Sequence, residues 1–215
     1  MAEKPEKQGI VHNVPKIESW RVPSVSYRGQ TRDYEVVGEM TPAMTQEKLV
    51  KKYGIEIPSV PLIWAISSQA YALRDVNLGD AEELKNFLSA GFRQYPNTST
   101  RIVYNPSGND LVVHSSGTSR EYSLDAEVVG SDGFMGDIPD KKVLESLLGT
   151  SDVENINEVA NWINGTNAFL WRLNSKPKQK VERVAGFDAD SGGLDLDCDR
   201  DPLSECPAFR VLEVE

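Results

Sequence analysis

The residues best equipped for chemistry crowd into one short stretch near the C-terminal end, Gly186 to Pro202, "GFDADSGGLDLDCDRDP". Asp188, Asp190, Asp195, Asp197, Asp199 and Asp201 fall within fourteen residues with one cation, Arg200. That gives a local charge of −5 against −10 for the whole chain. Neighbouring carboxylates relieve their repulsion by taking up a hard cation, so calcium is the first chemistry to weigh. The start "DADSGG" resembles an EF-hand loop, with Asp188, Asp190 and Gly193 at positions 1, 3 and 6. Gly192 then stands at position 5 without a side-chain oxygen, and Asp199 stands where a bidentate Glu belongs. A looser cage of Asp188, Asp190, Asp195 and Asp197 stays open as an alternative.

The same stretch has a second pattern. From Leu194 to Asp199 the order is Leu, Asp, Leu, Asp, Cys, Asp. Period two with apolar residues on one side describes a half-buried strand. Leu194, Leu196 and Cys198 would face the core, and Asp195, Asp197 and Asp199 the solvent. Aspartate is a poor strand former and aligned carboxylates repel, so stability alone does not select such a face.

Other chemistries find little support. His12 lies in a polar N-terminal stretch and His114 in a strand-like run. A hydrolase with His114 as its base would need a nucleophile that no motif supplies. No phosphate-binding glycine loop or nucleophile elbow occurs. Cys198 and Cys206 have no zinc-ligand pattern around them, though they could pair with each other. Phe169, Trp162 and Trp171 could form a stacking patch, but their spacing equally suits core positions.

The elements that must position these residues follow from punctuation and period. Residues 1–18 suggest a flexible tail. "SVSYRGQTRDYEVVG" (24–38) supplies one or two strands. Thr41-Pro42 would open a helix over 42–53, stopped by Gly54, and a more apolar helix spans 61–76. Asp80 with Glu83 would cap the next helix, with Gly91 as its C-terminal glycine. A three-strand meander is expected at 100–105, 110–116 and 120–130. Asp140 caps one further helix, and Ser151 with Glu154 forms a capping box for another that ends at Gly165. Strands at 167–175, within "ERVAGF" and at 207–215 complete an α+β chain of short antiparallel strands and several helices.

Composition sets the outer limits. With 39% hydrophobic residues, four Trp, seven Tyr and six Phe, 215 residues can build a substantial core. The acidic balance argues against a nucleic-acid partner. The longest apolar run, Val60 to Ile66, is too short to insert in a membrane. The first residues lack a secretory pattern, so the expected setting is cytoplasmic or virion-associated.

One resemblance would account for the acidic face. "NAFLWRLNSKPKQKVERVAGF" leading into "DADSGGLDLDCDRDPLSECPAFRVLEV" resembles the variable proteins of diversity-generating retroelements, particularly those of archaea and their viruses. "TRIVYNPSGNDLVVHSSGTSREYSL" and "ESLLGTSDVENINEVANWINGTNAFLWRLN" are similar to the same group's scaffold. The resemblance implies a C-type lectin-like domain over 99–215, with a variable region at about 186–209. Residues 19–98 would be part of that domain or an attachment module.

In such systems an adenine-misreading reverse transcriptase rewrites template asparagine codons. On that logic the ligand-binding positions would be Asp188, Asp190, Ser191, Gly192, Gly193, Asp195, Asp197, Asp199, Arg200, Asp201, Ser204 and Cys206. Leu194, Leu196, Cys198, Pro202, Pro207, Ala208 and Phe209 would be scaffold. Formylglycine-generating enzymes share the broad fold, but neither cysteine lies in a context like theirs, so no enzyme activity carries over. The implied function is recognition without catalysis and without a cofactor, calcium being the alternative. The partner would be a protein or cell-surface ligand, basic for this variant. Because the variable positions include no Tyr or Trp, modest affinity raised by multivalency is expected.

Overall fold

The computed structural model describes residues 9–13, 18–115, 121–190 and 192–214. The chain opens with a short strand, β1 (Val11–Asn13), followed by β2 (Ser19–Tyr27) and β3 (Gln30–Val37). β1 pairs antiparallel with β2, so part of the segment expected to be a flexible tail lies in a sheet. Pro23 is accommodated in β2 by a break in register between Val22 and Val25, the kind of bulge that tolerates a missing N–H. Arg28 and Gly29 join β2 to β3 with φ of 53° and 70°. That left-handed pair matches the twist of a two-residue hairpin.

Three helices follow: α1 (Gln46–Tyr53), α2 (Val60–Ala72) and α3 (Leu78–Phe92). α1 starts four residues later than its sequence suggests. Thr41 does not cap it, because the Thr41 hydroxyl accepts from Ala208 N at 2.9 Å. Met44 is in turn held extended by a bridge to Cys206, so Thr45 becomes the cap. α3 starts at Leu78 after Asn77, whose side-chain amide bonds Asp80; Asp80 belongs to the first turn and does not precede it.

Gly91 is not the glycine that ends α3 either. It lies within the helix, where a Cβ would come 2.2 Å from Phe209 Cζ. Gly91→Ala should therefore destabilise the protein by about 3 kcal/mol, the upper range for overpacking a filled core. Urea denaturation of the variant checks this.

The meander appears as expected: β4 (Asn97–Tyr104), β5 (Asp110–Ser115) and β6 (Glu121–Ala126) pair antiparallel in sequence. After the short β7 (Gly133–Phe134) come α4 (Lys141–Leu148) and α5 (Val153–Asn164). Asp140 caps α4. For α5 the cap is Asp152, not Ser151, and both helices end on left-handed glycines, Gly149 and Gly165. The chain closes with β8 (Ala168–Trp171), β9 (Val181–Ala189), β10 (Leu194–Arg200) and β11 (Val211–Val214).

These elements make an α+β architecture with two sheets. One runs β1-β2-β3-β11, so the last strand pairs with one of the first. The other runs β6-β5-β4-β9-β10-β8-β7 and is antiparallel except where β10 meets β8. α2 is apolar nearly all round, as its place against β2, α4 and α5 requires. A chain of aromatic contacts runs Trp20, Phe87, Phe209, Phe92, Phe187 and Trp64, with centroids 4.9–5.9 Å apart. One continuous core thus joins residues of the 19–98 section to those of 99–215. No described helix is long and apolar enough to cross a membrane.

Candidate binding face

β10 carries the acidic run, and its neighbours fix which way each side chain points. In register, Asp195 faces Asp188 across to β9 and Phe169 across to β8. Asp197 lies between Gly186 on β9 and Trp171 on β8. Leu194, Leu196 and Cys198 turn inward and are at most 1% exposed. Asp195 and Asp197 are half-buried on the opposite face and Asp199 is exposed. The apolar side chains make the strand part of the core; the carboxylates do not.

An open depression of about 480 Å³ covers this outer face, lined by Asp188, Asp190, Asp195, Asp197 and Asp199. Trp171, Asp132 and Asn174 complete the lining. Asp132 comes from the loop before β7. Its carboxylate accepts from Arg172 N at 2.7 Å and from the Asn174 amide at 3.3 Å. Trp171 is 49% exposed. The three aromatics considered together in the sequence are separated: Phe169 packs on Phe134, and Trp162 packs on Tyr71.

The carboxylates are not equivalent. Asp190 is a turn former, accepting from the N–H groups of Gly192 at 2.6 Å and Gly193 at 3.0 Å. Asp197 accepts from Asp199 N at 2.9 Å, and Asp199 is paired with Arg183 at 2.8 Å. Asp188 and Asp195 form no ion pair among the described residues; Asp188 is met by the backbone of Ala189 and Asp195 by the side chain of Trp171. Burial, then the charge of Asp190, push the Asp188 carboxyl above its usual range. Asp195 is pushed up to about 6, by burial first and then by Asp190 and Asp188, while a hydrogen bond from Trp171 acts the other way. Buried Asp188 Oδ1 has no hydrogen-bond partner among the described residues.

Other assigned positions fall elsewhere. Gly192 is exposed at the turn, and Ser191 lies outside the described residues. Gly193 is buried, and a Cβ there would lie 2.7 Å from the Phe169 ring, so it is not freely exchangeable. Arg200 is not a solvent-facing position. It continues the buried positions 194, 196 and 198 of the strand, the pairing with β9 shifts by one residue between Asp197 and Arg200, and its guanidinium is buried against the carbonyls of Tyr95 and Pro96. Asp201 folds into a turn by accepting from Leu203 N at 2.8 Å. Ser204 and Cys206 are half-buried beyond it, their backbones tied to Asn97 and Met44. Pro202 and exposed Leu203 border a separate groove against α1 and Arg101.

The catalytic and metal alternatives can be compared with the same geometry. His114 is fully buried, with Nδ1 against the Thr100 hydroxyl and Nε2 against the Ser146 carbonyl, each at 2.8 Å. It exposes no surface among the described residues. Cys198 and Cys206 are both free thiols, Cys198 deep in the core. Among the described residues no group of three or more His, Cys, Asp or Glu is arranged to hold a metal ion.

Sequence reasoning found the acidic strand and missed Asp132, Asn174 and the exposure of Trp171. The signal for Trp171 was there in period two: Ala168 and Leu170 turn inward, which sends Trp171 outward. No family model, curated protein or solved structure matches the chain.

Proposed function

We propose that this chain is a non-catalytic binding protein that grips a basic protein or cell-surface ligand with the outer face of β9, β10 and β8. In this reading it is a variable protein of a diversity-generating retroelement, and its α+β scaffold is of the C-type lectin type. One observation carries it: inward Leu194, Leu196 and Cys198 alternate with outward carboxylates around an exposed tryptophan. A face whose members add little to the core can be rewritten at small cost to stability, which is what diversification demands. Bulges, short strands and long connections held by one continuous core suit an irregular scaffold of that kind.

Binding would work by charge and by stacking. Five carboxylates draw a cationic group in, and the approach is screened over about 8 Å at physiological salt. The Trp171 face then adds a cation–π contact of about 0.5–1 kcal/mol. The aromatic anchor that the variable positions lack is thus supplied by a neighbouring strand.

A hexa-arginine peptide serves as probe in a salt and pH series. Affinity should fall steeply with ionic strength. It should also weaken below pH 6, because Asp195, raised to about 6, loses its charge there. Binding indifferent to both would refute the electrostatic mechanism. The calcium alternative predicts a melting temperature that drops on adding chelator; the binding-face reading predicts none.

A further inference from the structure

We propose that Arg200 is a positioning residue of the binding face, fixing Tyr95 as a second exposed aromatic across the carboxylates from Trp171. The proposal rests on the reading of that face as a ligand surface.

The Arg200 side chain is 7% exposed. Its Nη1 donates to the carbonyl of Tyr95 at 2.6 Å and to that of Pro96 at 3.2 Å. Its Nε lies 3.6 Å from Asp197 Oδ2. One planar group therefore touches both the acidic strand and the turn after α3. The strand register orders the row: Trp171 on β8, Asp197 on β10, Gly186 on β9. Neighbouring strands are about 4.8 Å apart, so Gly186 is about 10 Å from Trp171 along the sheet. Over Gly186 sits the Tyr95–Pro96 backbone, so close that a Cβ would lie 2.5 Å from Pro96 O and 2.8 Å from Arg200 Nη1.

Tyr95 itself has φ of 56°, a conformation disfavoured for any residue with a side chain. The residue is nonetheless 50% exposed. Strain at a deeply packed tyrosine would be explained by the core it fills; this tyrosine is exposed instead. Arg200 Nη2 is buried with no hydrogen-bond partner among the described residues, a further cost of keeping the guanidinium in this place. The arrangement suits an arginine-bearing partner, whose planar cation stacks on aromatic faces and meets carboxylates side-on.

The test compares Tyr95→Gly, Arg200→Lys and the double variant, with hexa-arginine as probe at low ionic strength. Glycine adopts the positive φ without strain, so Tyr95→Gly should keep the melting temperature while losing roughly two- to fivefold in affinity. Arg200→Lys keeps the charge but loses the fork, and should show the same loss. The double variant should be no weaker than either single one, since Arg200 acts through Tyr95. Wild-type affinity in Tyr95→Gly, or losses that multiply in the double variant, would overturn the proposal. If Trp171→Ala loses binding while both these variants keep it, the ligand face stands and the role of Arg200 does not. Failure of the wild type to bind hexa-arginine at all overturns both. Without any ligand, an unshifted Tyr95 amide resonance in Arg200→Lys also overturns the positioning role.

Discussion

Acidifying the protein from pH 6.5 to pH 4 should remove about 3 kcal/mol of stability through one side chain, His114. In the fold this imidazole is neutral: Nε2–H donates to the Ser146 carbonyl, and Nδ1 accepts from the Thr100 hydroxyl. That hydroxyl in turn accepts from Val60 N at 2.9 Å, so the ring ties β4, β5, α4 and the start of α2 together. Burial lowers its pKa from 6.5 to about 4, despite the Ser146 bond acting the other way. The unfolded chain therefore binds the proton first as pH falls. Stability from this group is complete above pH 6.5 and declines by about 1.4 kcal/mol per pH unit until the folded form also protonates near 4.

Asp188 and Asp195 work in the opposite sense. Their folded pKa values are raised, so protonating them as pH falls favours the fold. A comparison with His114→Phe isolates the histidine, because the carboxylates titrate alike in both proteins. The variant should be less stable than wild type at pH 7, by about 2 kcal/mol for two lost buried hydrogen bonds. It should also change less between pH 6.5 and pH 4.5. Urea denaturation at several pH values is the measurement; identical pH dependence in the two proteins contradicts the assignment.

The second large effect contrasts adjacent residues of one strand. Leu196→Ala should cost about 2–5 kcal/mol, the transfer free energy of the lost methyl groups plus a cavity at a site with no exposure. Asp195→Asn, one residue away, should stabilise the protein at pH 7. Its carboxylate is held in charged form against burial and three like charges, Asp190, Asp188 and Asp197. Because the group is also partly solvated, the gain is discounted to about 1 kcal/mol. The same Asp195→Asn change should weaken hexa-arginine binding and reduce the drop in affinity just below pH 6. Thermal unfolding paired with a binding titration reports both. A destabilised Asp195→Asn variant would mean that the carboxylate serves the fold.

Local signals in the sequence were reliable where the structure keeps them local. Asp140 and Gly165 mark helix ends through groups within a few residues, and both do so in the fold. The meander was visible because each of its strands pairs with the next. What failed was decided by distant partners. Thr41 looks like a cap until Ala208 takes its hydroxyl, and Gly91 looks like a helix end until Phe209 packs on it.

The binding face divides in the same way. Alternation alone oriented Leu194 through Cys198, since a strand with one buried face has no freedom of register. Continued alternation already sends position 200 to the buried side; what the sequence did not announce is the pair of carbonyls in the turn after α3 that receive its guanidinium. Asp132 joins the acidic group only through pairing of β7 with β8, which no local pattern announces. Trp171 was within reach, but a strand of four residues is too short for period two to be decisive.

The most direct test of the account is a pooled selection for protease-resistant protein, with residues 194 to 200 randomised one at a time. Sequencing of survivors should show broad tolerance at 195, 197 and 199. Positions 194, 196, 198 and 200 should retain the native residue or a close isostere. Aspartates kept as strictly as the leucines between them would contradict the account, because the carboxylates would then be holding the fold together and not meeting a partner.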